Sequence, residues 1–304
     1  MFDVIIVGGG FAGLSAALPL ARARRSVLLV DAGQPRNRFA AASHNLVGHD
    51  GRAPAEIRAD ARRQLAVYPT VAFADGQASA AVRADGGFLV GIGTPGGTRH
   101  ERGRRLILAT GVRDELPAIA SLWERWGSTV IHCPYCHGYE VAGRAIGVLG
   151  GGAMGAHKAA LLPDWGPTTW FTGGDEEGDG ALAALLDERG VRIERTPVVA
   201  LLGEAPDLQS ACLADGRIVP LGALLVSPRT QPATPLAAQL GCAFDEGPTG
   251  PHVRVDERRR TTVPGVYAAG DVTQPMHSAV LAAAEGVLAG VHAHQSLVFP
   301  EAGA

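Results

Sequence analysis

Cys133-Pro134-Tyr135-Cys136 is the part of this sequence best suited to do chemistry. Two cysteines at this spacing can close a small, reducible disulfide. One thiolate is then exchanged with a substrate while the other waits to resolve the mixed disulfide. The competing reading is half of a zinc site, but zinc needs a second matching pair of cysteines or histidines at ligand spacing. His132 and His137 adjoin the cysteines, which suits a proton acceptor better than a tetrahedral shell, so no metal site is expected. An imidazole titrates near neutral pH. His137, directly after the second cysteine, is therefore the first candidate to take a thiol proton, with a structural turn histidine as the plain alternative. His277 is the second candidate base, and Glu140 reads as a turn acid. The isolated Cys212 and Cys242 read as small buried hydrophobes.

Two glycine loops form the next constellation. The first runs Gly8-Gly9-Gly10-Phe11-Ala12-Gly13 between an apolar strand and an alanine-rich helix. In such a loop Gly8 makes the tight turn and Gly10 lets the backbone approach a pyrophosphate at the head of the helix. Gly13 lets helix and strand pack closely. Asp31, at the end of the next apolar run, is placed to accept hydrogen bonds from a ribose. The second loop, Gly150 to Gly155, repeats the glycines without a matching acid. The step of 23 from Gly8 to Asp31 lands, from Gly150, on Gly173, followed by Gly174, Asp175, Glu176 and Glu177. A 2′-phosphate would need arginines there, and none occurs before Arg189. Two missing charge-assisted hydrogen bonds would weaken NADPH binding by roughly 10²–10⁴-fold. NADPH is disfavoured; NADH remains compatible if Asp175 takes the ribose, and a relic fold without nicotinamide is the alternative.

The elements that must carry these residues read as two βαβ openings. Strand Asp3–Val7, a helix to about Arg24 and strand Ser26–Val30 make the first. Strand Arg144–Leu149, a helix stopped by Pro163 and strand Thr168–Thr172 make the second. Continuous apolar runs at Arg105–Ala109, Ala223–Val226 and Val266–Ala269 fit parallel strands buried on both faces. Pro-bearing polar stretches near Arg113–Pro117 and Arg229–Pro235 are linker candidates. The expected architecture is α/β, with two doubly wound Rossmann-like dinucleotide-binding domains, the second inserted in the first. The boundaries are 1–113 plus 231–304 for one and 114–230 for the other.

The 304 residues suffice for two such domains, and 46% hydrophobic content with 41 glycines fits a soluble α/β protein with many tight turns better than a disordered chain. A net charge of −3 gives no general pull toward nucleic acid or an anionic membrane. The arginine runs at 22–25, 58–63 and 258–260 read as solvated faces. Four cysteines are too few for a secreted disulfide scaffold. The apolar start lacks basic residues and is broken by Gly8–Gly10, so it is not read as a signal peptide. A cytoplasmic protein without a membrane or nucleic-acid partner is expected. Trp123, Trp126, Trp165 and Trp170 read as packing residues.

In this order, the first glycine loop, Ala109-Thr110-Gly111, the Cys pair, the second glycine loop and Tyr267-Ala-Ala-Gly270-Asp271 resemble the low-molecular-weight thioredoxin reductase family of flavoproteins, over nearly the whole chain. The resemblance implies FAD with its pyrophosphate at Gly8–Gly13 and Asp31 on the adenosine ribose. It also implies Ala109–Gly111 and Gly270 in the cofactor site, and Asp271 on the ribityl–phosphate region. It further implies Cys136 as the flavin-proximal sulfur, Cys133 as the exchanging one, and a homodimer. Two departures stand out: His137 where the family's reductases carry an acid, and Gly173-Gly174-Asp175 where they carry a basic cluster. Cys-Pro-Tyr-Cys-His-Gly-Tyr-Glu at 133–140 resembles instead a branch related to the dithiol oxidases of natural-product (antibiotic) biosynthesis, of the holomycin and gliotoxin type. That branch implies oxidation of a small-molecule dithiol with O2 as electron acceptor, giving H2O2. The alternative is a thioredoxin reductase-like enzyme that reduces a protein disulfide, such as a thioredoxin-like partner, with NAD(P)H or another donor. By position alone, His44, Asn45 and the segment to Asp50 are placed on the substrate side.

Overall fold

A computed structural model describes residues 1–175 and 180–299. The chain forms two compact units. Of the described residues, Met1–Arg38, Arg52–Asp114 and those from Thr230 make the first, and Phe39–Gly51 with those of Glu115–Arg229 make the second. The sequence boundaries grouped residues 39–51 with the glycine-loop domain; in the structure they cluster with the second unit.

In the first unit, β1 (Phe2–Val7), α1 (Phe11–Arg22) and β2 (Val27–Asp31) form the opening βαβ unit. Helix α2 (Pro54–Ala66) leads to β3 (Val71–Asp75), followed by β4 (Gln77–Ala84), β5 (Gly87–Thr94) and the long β6 (Gly97–Leu108). The sheet order is β3-β2-β1-β6-β5-β4, and Val266–Ala268 pairs with β6. β1 lies parallel to β2 and β6, whereas β5 is antiparallel to β6 and β4. The order reverses direction at β1/β6, and the crevice beyond the carboxyl ends of strands at such a point is where ligands bind in open α/β sheets. Val4, Ile5, Ile6 and Leu106–Leu108 are essentially unexposed, as expected for strands covered on both faces. The C-terminal helix Ala279–Val298 packs on α1 through small residues: a Cβ at Gly286 or Gly290 would overlap the carbonyl of Ala12 or Ala16.

The second unit holds an all-parallel sheet in the order Arg192–Glu194, Thr168–Phe171, Ile146–Leu149, Ala223–Val226, Val130–Ile131. A three-stranded antiparallel sheet (Val198–Leu202, Ser210–Leu213, Ile218–Pro220) accompanies it. The second predicted helix ends at Leu161, two residues before Pro163. The two units are therefore two Rossmann-like α/β folds, as the paired motifs predicted.

Some single-residue expectations need correction. Trp170 and Trp126 are buried, but Trp123 is 57% exposed and touches the edge of Phe39 at 5.3 Å between ring centroids. Cys242 is buried, whereas Cys212 is only half-buried, because it lies in a strand of the small antiparallel sheet rather than in the parallel core. Glu176 and Glu177 lie outside the described residues. Among those described, no helix is long and apolar enough to cross a membrane.

Candidate active site and nucleotide cradle

The first glycine loop is folded around backbone groups that leave no room for side chains. Gly8 adopts φ 111°, and a Cβ there would overlap the carbonyl oxygen of Ala109, the residue that follows β6. Ala109 N donates to Val7 O at 2.8 Å, so the 109–111 segment is locked beside the loop. Gly13 packs against the Gly8 carbonyl, which brings α1 onto β1. Gly10, the N-cap of α1, supplies no side-chain cap, and a Cβ built at Gly10 or Gly111 meets nothing within 4 Å. The head of α1, followed by Phe11 and Ala12, thus faces open space. Its dipole and free amides suit an anion such as a pyrophosphate.

Asp31 ends β2 against this loop. Its Oδ1 accepts from Gly9 N (3.3 Å) and Gly33 N (3.1 Å), and its Oδ2 pairs with Arg58 at 2.7 Å. Arg58 Nε also donates to Gly9 O at 3.0 Å. Charge patterning places Arg58 on a solvated face, yet in the structure its side chain is mostly buried and clamps the acid to the loop.

Gly270 and Asp271 sit at the end of the strand Val266–Ala268 in the same unit. Gly270 takes φ 83°, and the turn is held by buried Glu285, which accepts from Gly270 N (2.8 Å) and Thr273 Oγ1 (2.7 Å) and pairs with Arg259 (2.8 Å). Arg36 binds Asp114 with two of its nitrogens and reaches Asp271 Oδ2 at 3.5 Å. Gln274 Nε2 and Thr234 Oγ1 are buried and find no partner among the described residues. An open backbone cradle, a ribose-type acid and orphaned polar atoms in one unit fit a bound dinucleotide such as FAD. His277 lies here as well. Burial pushes its imidazole below the usual range, against the pull of Asp271.

The cysteine pair opens the short helix α3 (Pro134–His137) in the second unit. Cys133 is the N-cap, and Cys136 N and His137 N both lie 3.3 Å from Cys133 O. The Cys136 thiol donates to Cys133 Sγ at 2.9 Å. That donation is the largest cause of a Cys133 pKa lowered to about 6; burial opposes it, and the Cys136 and Tyr135 amides and the Lys158 charge assist. Lys158 is fixed beneath by donating to His132 O (2.8 Å) and Val226 O (3.3 Å). Burial moves His137 below its usual range, Glu140 pulls it up, and His44 adds to the lowering.

The fold also brings in residues that sequence spacing could not. His44 meets His137 edge-on at 6.0 Å between ring centroids and lies 3.3 Å from Glu140 and 3.4 Å from Asp50. Asn45 Nδ2 donates to Tyr135 O at 2.5 Å, which ties this loop to the Cys pair. The candidate residues thus fall into two groups. Cys133, Cys136 and His137 gather in the second unit; Gly8–Gly13, Asp31, Ala109–Gly111, Gly270, Asp271 and His277 belong to the first. Arg58, Arg36 and Glu285 were not anticipated, since nothing in their local sequence marks the partner each would find.

The second glycine loop repeats part of the first. Gly150 takes φ 112°, close to the 111° of Gly8, and Trp170 Nε1 donates to its carbonyl at 2.7 Å. Gly151 abuts Asp175 as Gly9 abuts Asp31. The copy is incomplete: Gly152, the first residue of the following helix, has φ 70°, where Phe11 opens a regular α1.

Residues 2–286 match the family described as pyridine nucleotide-disulphide oxidoreductase. The chain is 32% identical to the protein named thioredoxin reductase tcpT of Claviceps purpurea, over 97% of this chain and 94% of the relative. A solved oxidoreductase from Agrobacterium tumefaciens shares 50% identity with TM-score 0.92, covering 99% of both chains. The solved structure of HlmI shares 36% identity with TM-score 0.88, covering 98% of this chain and 92% of its own.

Proposed function

Since this chain belongs to the pyridine nucleotide-disulphide oxidoreductase family, whose membership implies a flavin-dependent disulfide oxidoreductase, we propose that it is an FAD-dependent dithiol oxidase. It closes an intramolecular disulfide in a small-molecule dithiol and passes the electrons to O2. In this reading Gly8, Gly10, Phe11, Ala12 and Gly13 hold the FAD pyrophosphate and Asp31 the adenosine ribose. Ala109, Thr110, Gly111, Gly270 and Asp271 complete the cradle.

The reaction starts from the Cys133–Cys136 disulfide. His137, kept uncharged near neutral pH by burial, accepts the proton of the first substrate thiol at a ring nitrogen. The substrate thiolate attacks Cys133 Sγ; a substrate–Cys133 bond forms and the Cys133–Cys136 bond breaks, leaving Cys136 reduced. The second substrate thiol passes its proton to the Cys136 thiolate and attacks the substrate sulfur joined to Cys133. The substrate disulfide closes and Cys133 departs as a thiolate. Two electrons have then passed from the dithiol to the cysteine pair. Bound FAD supplies the two-electron acceptor that restores the disulfide, with O2 as final acceptor and H2O2 as product.

The observation that carries this reading is the sulfur pair itself: Cys136 Sγ lies 2.9 Å from Cys133 Sγ at the head of α3, an arrangement that lowers the Cys133 pKa to about 6. A thiol of low pKa leaves faster in exchange, and Cys136, reduced at that stage, donates to the departing sulfur. The His137 that follows the pair, where the family's reductases carry an acid, supports the same reading.

Anaerobic mixing with a small dithiol should bleach the flavin absorbance, and Cys136→Ser should stop the bleaching while FAD stays bound. Fast bleaching by NADPH alone would remove the oxidase reading. A second reading is a reductase of a protein disulfide, such as a thioredoxin-like partner. It is favoured by the partly retained second glycine loop, where Asp175 abuts Gly151. Fast bleaching by NADH followed by transfer to an oxidised thioredoxin would establish it.

A further inference from the structure

We propose that His44, His137 and Glu140 form a binding site for a divalent transition cation of the zinc class. One ligand atom from each residue lies within 4.8 Å of the other two. His44 Nε2 and Glu140 Oε1 are 3.3 Å apart. Zinc bonds to nitrogen and oxygen of about 2.0–2.2 Å place tetrahedral ligands roughly 3.3–3.5 Å from each other, so this edge already has the length a bound cation requires. The other ligand-atom separations are within 4.8 Å, so rotation of the His137 ring together with the Glu140 side chain, which is 43% exposed, would draw the three donors onto one cation. Two imidazoles and one carboxylate are a donor set that zinc-class cations take, with one coordination position left open.

The surroundings are built as they are around metal-bound histidines. A ligating imidazole usually donates its other N–H to a carboxylate, which sets the tautomer and the ring direction. His44 has that carboxylate: Asp50 Oδ1 stands 3.4 Å from Nδ1, on the far side of the ring from Glu140. Asp50 is itself oriented by Asn45 N at 3.0 Å. Asn45 holds a left-handed φ of 60° while its amide reaches Tyr135 O, so the loop is fixed relative to α3. The three donors come from separate elements, the 39–51 loop, the end of α3 and the turn Tyr139–Val141. A bound cation would occupy a His137 nitrogen and withdraw it from the proton transfer proposed above, so cation binding should inhibit the dithiol reaction; the site itself is tested by binding, independently of that reaction.

The Cys pair is the rival ligand for such a cation, and the experiment separates the two. Zinc affinity of the oxidised, FAD-loaded protein is measured by competition with a chromophoric chelator. The expected result is one equivalent per chain that survives the Cys133→Ser/Cys136→Ser double substitution. His44→Ala and Glu140→Gln should each weaken it by roughly 100-fold, and Asp50→Asn by roughly 10-fold. Glu140 and Asp50 are exposed enough that their variants should fold even if His44→Ala does not, and the flavin spectrum verifies this. Binding that disappears with the cysteines and ignores Glu140→Gln and Asp50→Asn would overturn the site, as would no stoichiometric binding at micromolar zinc.

Discussion

Cys136 donates its thiol proton to Cys133 Sγ across 2.9 Å, and the two sulfurs are thereby made unequal. Cys133 is the member held as thiolate near neutral pH, with a pKa of about 6 against ~8.5 for a free cysteine. Alkylation of the reduced protein should therefore fall on Cys133, with a rate that rises through pH 6 and levels by pH 8. Cys136→Ala removes the largest cause of the shift. It should move the midpoint up toward the ordinary thiol value, because burial, which opposes ionisation, remains. Mass spectrometry of the alkylated peptide across pH gives both results. A midpoint that stays near 6 in Cys136→Ala would assign the thiolate to Lys158 and the helix amides instead.

Arg58 is the residue on which the cradle should prove most sensitive. It joins Asp31 and the Gly9 carbonyl in one grip. Arg58→Gln removes a charge-assisted bond of about 1.5–3 kcal/mol and leaves a carboxylate facing the loop uncompensated. FAD affinity, measured by titrating the deflavinated protein, should fall about tenfold or more. Unchanged affinity would mean that Asp31 is held well enough by Gly9 and Gly33.

Glu285 tests the support beneath Asp271. It is 6% exposed and satisfies Gly270 N, Thr273 and Arg259 together. Glu285→Ala leaves Arg259 without its acid and the turn without an acceptor, at a cost of about 3–5 kcal/mol, as when one partner of a buried pair is removed. The unfolding midpoint of the glycine-loop unit in urea should drop accordingly, with flavin release at lower urea. Glu285→Gln keeps an acceptor for Gly270 N and should lose less. Equal losses in both variants would show that the charge, not the hydrogen bonds, holds the turn.

What could be read from the chain without coordinates follows a physical line. Both glycine loops, both βαβ units and the Cys pair were legible because each is local: strand period, turn residue and helix follow one another within about thirty residues. Arg58 escapes a sequence reading because a run with Arg62 and Arg63 looks like any solvated helix face; its partner Asp31 is 27 residues away. His44 could be placed near the substrate side only by position. Its tie to Glu140 depends on a loop folding back across some ninety residues, through Asn45 and Tyr135. Asp175 lies two residues beyond the position a strict repeat of the Gly8–Asp31 step would give, so counting alone left it ambiguous. The contact with Gly151 assigns its place beside the loop.

That contact yields the last prediction. In the first unit Gly9 and Asp31 touch, and in the second Gly151 and Asp175 touch. A carboxylate there accepts from a ribose 2′-hydroxyl and repels a 2′-phosphate. If the second loop takes a nicotinamide nucleotide at all, NADH should therefore bleach the flavin faster than NADPH, by roughly 10²-fold or more. Asp175→Asn removes the repulsion while keeping a polar side chain. It should narrow the gap by slowing NADH and speeding NADPH, each read as the second-order rate of anaerobic flavin reduction. Equal slow rates with both nucleotides, untouched by Asp175→Asn, would show that the loop has no nicotinamide role, which would leave the dithiol route as the way electrons enter. A wild-type preference for NADPH would show that Asp175 does not face the ribose.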